Sequence, residues 1–286
     1  MAALEPSSFQ LGAGAPALAG ERLGEGPPVV LAHGVTATRR YVVHGSKALA
    51  RAGYTQISYD ARAHGDSPPA PEGEGYSYVE MAADLGRVIA EQAEGAPVLC
   101  GDSMGAHTAA AHALEHGAEL AGVVLIRPAS LGLPPPEESL AHWDRLADGL
   151  ESDGTEGFMR AYEADLDLAP EFRETVLRFT RERMSLHRDP MALAGAVRGV
   201  PRSIPFEGMA ELESLEVPAL VVASRDQADP GHPYAVAEAW RDAIPGASLV
   251  SEEPGESPLA WQGGRLSRVI ADFCEQPEVV SRRDSP

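Results

Sequence analysis

The feature that most constrains this chain is a regular series of short apolar runs separated by longer segments. The runs fall at residues 28–32, 55–60, 97–101, 121–126, 218–223 and 247–251. Uninterrupted apolar runs of this length are typical of strands buried on both faces, which occur in parallel sheets covered by helices. The pattern therefore predicts an α/β protein with a mainly parallel sheet flanked by helices.

The segments between the runs carry helix signals. A helix expected over residues 78–93 starts with Ser77 and Glu80, which have the spacing of a capping box. Ala-rich or amphipathic patterns predict further helices at residues 41–52, 104–116, 235–243 and 262–274. The tail from Gln276 is polar, and we expect it to be mobile.

The series of apolar runs stops between residues 134 and 205. This part opens with three prolines and has helical spacing without a strand pattern. It predicts a helical cap inserted into an α/β core formed by residues 1–133 and 206–286, where it would keep water from a site. Arg198 and Arg202 could bind a carboxylate there, although surface salt bridges are favoured.

Composition limits the partners. The formal net charge is −20, with 43 acidic and 23 basic residues, so nucleic acid and anionic membrane surfaces are not expected to bind. Residues 1–20 lack a signal-peptide pattern and no run approaches membrane-spanning length, which predicts a cytoplasmic protein. The two cysteines have no metal or redox spacing, and His112 and His116 lack a third ligand, so no metal or cofactor is expected. The oligomeric state is left open.

The candidate nucleophile is Ser103, in Gly101-Asp102-Ser103-Met104-Gly105. G-x-S-x-G is common by chance, but here it follows an apolar run and opens an Ala-rich helix, which is the setting of a nucleophile elbow. The start of that helix offers free N–H groups to a developing oxyanion. We expect the amides of Met104 and of Val35, which follows the strand at 28–32, to form the oxyanion hole.

These motifs, in this order, resemble the α/β-hydrolase fold family over most of the chain. The segments that carry the resemblance are His33-Gly34, the loop at residues 60–67 (with Ala63 in place of a glycine), the serine turn and the segment at 223–230. The resemblance implies an α/β-hydrolase fold with a cap over the active site. It also implies that Asp226, in the last of these segments, is the catalytic acid.

One position departs from the family pattern. The family's catalytic histidine usually follows the last strand as Gly-His, whereas this chain has Gly255-Glu256 and no histidine after His232. A serine needs a base to act as a nucleophile at neutral pH. We favour His232 as the base, because its loop borders the one that lacks the histidine, and His107 is an alternative.

Three acids compete to orient the base. Asp226 is favoured over Asp229, and Glu256 is a third candidate.

The function predicted is a carboxylesterase that acts on small-molecule esters through an acyl-enzyme at Ser103. The alternative is a protein of the same fold with altered or lost triad chemistry, which binds a small ligand or catalyses a lyase or cyclase reaction.

Overall fold

The computed structural model describes residues 4–12, 16–255, 261 and 263–285. Its strands form one sheet in the order β1-β2-β4-β3-β5-β6-β7-β8. Their bounds are β1 Ser7–Gln10, β2 Ala19–Leu23, β3 Pro28–Ala32, β4 Thr55–Tyr59, β5 Val98–Asp102, β6 Gly122–Ile126, β7 Ala219–Val222 and β8 Ser248–Val250. All pairs from β4 to β8 are parallel, which confirms the predicted sheet. The antiparallel strands β1 and β2 were not predicted, because neither has an apolar run.

Helices cover both faces of the sheet. Their bounds are α1 Ala48–Arg51, α2 Tyr78–Gln92, α3 Met104–His116, α4 Glu137–Asp165, α5 Pro170–Met184, α6 Pro190–Gly199, α7 Tyr234–Ala243, α8 Gly264–Cys274 and α9 Pro277–Arg283. One apolar core packs the sheet against α2, α3 and α7, and a second packs it against α1, α8 and α9. The capping box predicted at the start of α2 is confirmed, with Ser77 and Glu80 bonded in both directions.

Two predictions, a helix over residues 41–52 and a mobile tail from Gln276, were wrong. Only the last residues of the segment at 41–52 are α-helical, because His44 and Gly45 have positive φ angles of 47° and 70° that interrupt a helix. The tail forms α9 rather than a mobile end. Val279 of α9 is fully buried, and Arg282 donates to the carbonyl oxygens of Leu120 and Gly117.

The segment at 134–205 contains α4, α5 and α6 and has no strand. These helices pack on each other around their own apolar cluster, which includes Leu146, Phe158 and Met184. Val35, which follows β3, packs against this cluster. The role of the segment as a cap stays a prediction.

The sheet brings the candidate residues to one edge. Because β3, β5, β6 and β7 are parallel neighbours, their carboxyl ends lie side by side. Within the residues that the structure describes, no helix is long and apolar enough to cross a membrane.

Candidate active site

Ser103 lies on a sharp turn between β5 and α3. Its φ of 54° and ψ of −113° are strained for a residue with a side chain. The flanking glycines make the turn possible: a Cβ on Gly101 would lie 2.0 Å from the carbonyl oxygen of Gly105, and one on Gly105 would lie 2.0 Å from that of Ala32. The two glycines of the motif are therefore required by backbone contact.

His232 is the imidazole that reaches the serine. Its Nε2 lies 2.8 Å from Ser103 Oγ, and its Nδ1 lies 2.7 Å from Asp229 Oδ1. A carboxylate only accepts hydrogen bonds, so Nδ1–H donates to Asp229 and Nε2 is left to accept the serine proton. Serine, histidine and aspartate thus form one continuous hydrogen-bonded chain, the arrangement that activates a serine nucleophile.

The acid on His232 differs from the one favoured by sequence. The His232 amide donates to the carbonyl oxygen of Asp229 at 3.2 Å, a tight turn that brings the two side chains together. Asp226 instead accepts the amide of Ala228 at 2.8 Å, within its own loop. Burial raises the pKa of Asp226. The alternative acid, Asp229, is therefore the partner of His232, and Glu256 lies outside the described residues.

Arg127, which follows β6, was not singled out from the sequence. Its Nε and Nη2 donate to the two carboxylate oxygens of Asp102 at 3.0 and 2.7 Å, and its Nη1 donates to Asp229 Oδ2 at 3.0 Å. Burial acts to raise the pKa of Asp229, but the charges of His232 and Arg127 outweigh it and hold that pKa below its ordinary value. The signal that could have identified Arg127 is a charged residue directly after a buried strand next to the elbow strand.

The turn after β3 borders the serine. A Cβ on Gly34 would lie 3.4 Å from Ser103 Cβ. His64 Nε2–H donates to the Val35 carbonyl oxygen at 2.8 Å, which fixes the turn. Among the described residues the Val35 amide has no acceptor, and Met104 is the first residue of α3, so its N–H has no partner within the helix. Both amides proposed for the oxyanion hole are thus available beside Ser103.

His107, the alternative base, has another position. Its Nδ1–H donates to the backbone oxygen of Ser103 at 3.0 Å, and its Nε2 contacts Ser130 Oγ at 3.2 Å. The side chain is buried, which lowers its pKa to about 4. His107 therefore braces the first turn of α3 and does not contact the serine hydroxyl.

The loop after β8 holds a buried carboxylate four residues before the usual histidine position in the sequence. Glu252 is 2% exposed. Its Oε1 accepts from Ser224 Oγ at 2.8 Å and from the Arg225 amide at 2.5 Å, and its Oε2 accepts from Trp261 Nε1 at 2.8 Å. These bonds join the loops after β7 and β8.

The arginines considered for binding a carboxylate form surface ion pairs instead. Arg198 pairs with Asp148 and Glu151, and Arg202 pairs with Asp144, as the surface salt-bridge interpretation expects.

In the parts of the chain that the structure covers, no group of three or more His, Cys, Asp or Glu side chains is placed to hold a metal ion.

Comparisons with known proteins agree with this architecture. The family described as alpha/beta hydrolase fold matches residues 27–262. A thermophilic esterase from Thermogutta terrifontis is 24% identical, with 98% of this chain and 99% of that chain covered and a TM-score of 0.76. A bromoperoxidase from Bacillus anthracis is 20% identical (95% and 100% covered, TM-score 0.75), and the enol-lactonase from Burkholderia xenovorans is 20% identical (91% and 97% covered, TM-score 0.70). At these identities the likeness shows a shared fold, and the named activities differ.

Proposed function

The chain belongs to the alpha/beta hydrolase family, and on that premise we propose that it is a serine-dependent carboxylic ester hydrolase acting on small esters. The observation that carries the proposal is the hydrogen-bonded chain from Asp229 through His232 to Ser103. Because the fold hosts many chemistries, the proposal depends on this site and not on the family. The esterases among the structural relatives are compatible with it.

In the proposed reaction Ser103 Oγ attacks the ester carbonyl carbon as His232 Nε2 takes its proton. The carbonyl oxygen becomes an oxyanion that accepts hydrogen bonds from the Val35 and Met104 amides. Asp229 stabilises the imidazolium that forms. When the tetrahedral intermediate collapses, the bond to the alcohol oxygen breaks, and His232 donates its proton to that oxygen.

Water completes the cycle. His232 removes a proton from a water molecule, which attacks the acyl carbon bound to Ser103 Oγ. The bond to Oγ then breaks, the serine regains its proton from His232, and the carboxylic acid is released. The helices of residues 134–205 would limit the access of other water to this intermediate.

A covalent probe and short esters test the proposal together. A fluorophosphonate is expected to label the protein at Ser103, and 4-nitrophenyl acetate and butyrate are expected to be hydrolysed. Ser103→Ala should remove labelling and lower turnover by about 10⁴-fold or more. The matched control Ser152→Ala changes an exposed serine of α4 and should leave both unchanged.

The alternative of altered triad chemistry makes the opposite prediction. A ligand-binding protein, or a lyase or cyclase that does not use the serine, would keep its activity in Ser103→Ala. Absence of both labelling and ester turnover between pH 5 and 9 would also count against ester hydrolysis. A cytoplasmic location stays a prediction that fractionation of cells would test.

A further inference from the structure

Arg183, in the last turn of α5, has a guanidinium group without a partner. Its Nε is buried and has no hydrogen-bond acceptor. Among the described residues, its other nitrogens form no hydrogen bond or ion pair either. Removing a charged donor from water without a replacement acceptor is unfavourable, so native proteins rarely leave one in this state.

The missing partner does not reflect a shortage of carboxylates. The chain has 43 acidic residues. Most arginines of residues 134–205 pair with one; these are Arg145, Arg160, Arg173, Arg181, Arg188, Arg198 and Arg202. On α5, Arg181 pairs with Glu156. Arg178 also forms no ion pair among the described residues, but it is exposed, whereas Nε of Arg183 is buried.

The chain that leaves α5 is fixed to the edge of the sheet beside the catalytic residues. His187, four residues after Arg183, donates from Nε2 to the Thr36 carbonyl oxygen at 3.2 Å and accepts the Gly65 amide at Nδ1 at 3.1 Å. Thr36 directly follows Val35, whose amide we assign to the oxyanion hole. The last turn of α5 is therefore held next to the turn that borders Ser103.

The charges of the catalytic site act on Arg183. Burial lowers the pKa of Arg183. The charge of Arg127 lowers it as well, whereas Asp229 and Asp102 raise it. Both carboxylates already receive hydrogen bonds from Arg127, and Asp229 is also bonded to His232. No carboxylate of the described residues therefore forms an ion pair with Arg183.

We propose that Arg183 binds a carboxylate of the substrate, so that the enzyme prefers esters that also carry a free carboxylate group. This inference depends on the proposed ester hydrolysis and names its substrate class. The two Nη groups of Arg183 are not fully buried, and a guanidinium can bind both oxygens of a carboxylate through a pair of N–H groups. A single negative charge also neutralises Arg183, whereas a phosphate dianion would add negative charge beside Asp102 and Asp229.

Two matched pairs of esters test the preference. In the first, mono-4-nitrophenyl adipate carries the carboxylate on the acyl side, and its partner has a carboxamide in place of that carboxylate. In the second, 4-(butyryloxy)benzoate carries it on the alcohol side and is paired with 4-(butyryloxy)benzamide. The expected result is a kcat/KM ratio of charged to neutral ester of about 10 or more in at least one pair, equivalent to about 1.4 kcal/mol.

The ratio should depend on Arg183. In Arg183→Gln it is expected to fall to about 1, while Arg183→Lys should keep part of it, because lysine retains the charge but not the fork of two donors. Arg178→Gln is the matched control, since Arg178 is exposed on the same helix, and it should keep the wild-type ratio. Circular dichroism and melting temperature confirm that the variants are folded.

Binding without turnover separates the two proposals. In Ser103→Ala, monomethyl adipate is expected to bind at least about 10-fold more tightly than dimethyl adipate by calorimetry, and Arg183→Gln should remove that difference. Labelling of Ser103 and hydrolysis of neutral esters with a charge ratio near 1 in both pairs would overturn only the role of Arg183. If no ester is hydrolysed and Ser103 is not labelled, the proposed function fails, and the calorimetry alone decides whether the site binds carboxylates.

Discussion

The loops after β7 and β8 lie side by side at the same edge of the sheet, but they hold different side chains. The loop after β7 holds His232 and Asp229, which connect to Ser103. The described part of the loop after β8 holds Glu252, whose oxygens accept, among the described residues, from Ser224, Arg225 and Trp261. In the family pattern, the histidine belongs to the second loop.

The base that we propose thus lies on the loop next to the one that carries it in the family pattern, while the proposed nucleophile keeps its position. A base needs only to bring one nitrogen within hydrogen-bond distance of Oγ, and loops from adjacent parallel strands both reach that point. The nucleophile has less freedom, because the Ser103 amide donates to the Ile126 carbonyl oxygen of β6 and Gly105 lies against Ala32 of β3. The following variants test whether side chains of the loop after β7 are needed for catalysis, and whether Glu252 of the loop after β8 is needed only for stability.

The largest effect is expected from His232→Ala. Loss of the base should lower kcat for 4-nitrophenyl butyrate by about 10⁵-fold, with partial recovery on adding imidazole. The double variant His232→Ala/Ser103→Ala should have a kcat little lower than that of His232→Ala, because the two side chains act as one unit. A variant that keeps a tenth of wild-type kcat would place the base elsewhere.

Asp229→Asn and Asp226→Asn form a matched pair within one loop. Asp229 holds the His232 tautomer that leaves Nε2 free, so its amide variant should lower kcat by about 10³- to 10⁴-fold. Asp226→Asn should lower kcat by less than about 5-fold, because among the described residues the Asp226 carboxylate accepts from the Ala228 amide of its own loop. Steady-state kinetics with the same ester measure both effects. A larger loss of kcat in Asp226→Asn than in Asp229→Asn would indicate that Asp226, the acid favoured from the sequence, orients the base.

The turn at Ser103 could be predicted because its signal is local. The glycines around Ser103, the apolar strand before it and the helix after it lie within one short segment, so the turn can be recognised from the sequence alone. The sequence does not show which way the side chains of Asp226 and Asp229 point within their loop. In the structure Asp229 bonds to His232, whereas Asp226 accepts the Ala228 amide. Arg127 and Arg183 were missed because their positions depend on contacts between segments far apart in sequence.

Arg127 connects the elbow to the loop after β7, and Arg127→Met should weaken that connection. We expect kcat/KM to fall by about 10- to 100-fold, since Asp229 loses one of the groups that orient it. Arg127→Lys should recover only part, because an ammonium cannot make the same three bonds.

The pH dependence gives Arg127 a second readout. Arg127 contributes to the lowered pKa of Asp229, so its removal raises that pKa. A carboxyl group with a lowered pKa adds stability that is present above its unfolded pKa and lost as the pH falls. In Arg127→Met the stability that Asp229 contributes should therefore be smaller, and its loss on acidification should be complete at a higher pH, measured by urea denaturation between about pH 2 and 5. An unchanged profile would limit Arg127 to a packing role.

The smallest effect on activity is expected from Glu252→Gln. The carboxylate accepts three hydrogen bonds from buried donors, and an amide places an NH₂ group against at least one of them. The free energy of unfolding should fall by about 1–3 kcal/mol, measured by urea denaturation, while kcat changes by less than about 3-fold. Glu213→Gln, at an exposed position, is the control and should change neither value. Because the expected loss is in stability alone, a folded Glu252→Gln variant with kcat reduced 100-fold would mean that the loop after β8 still takes part in catalysis.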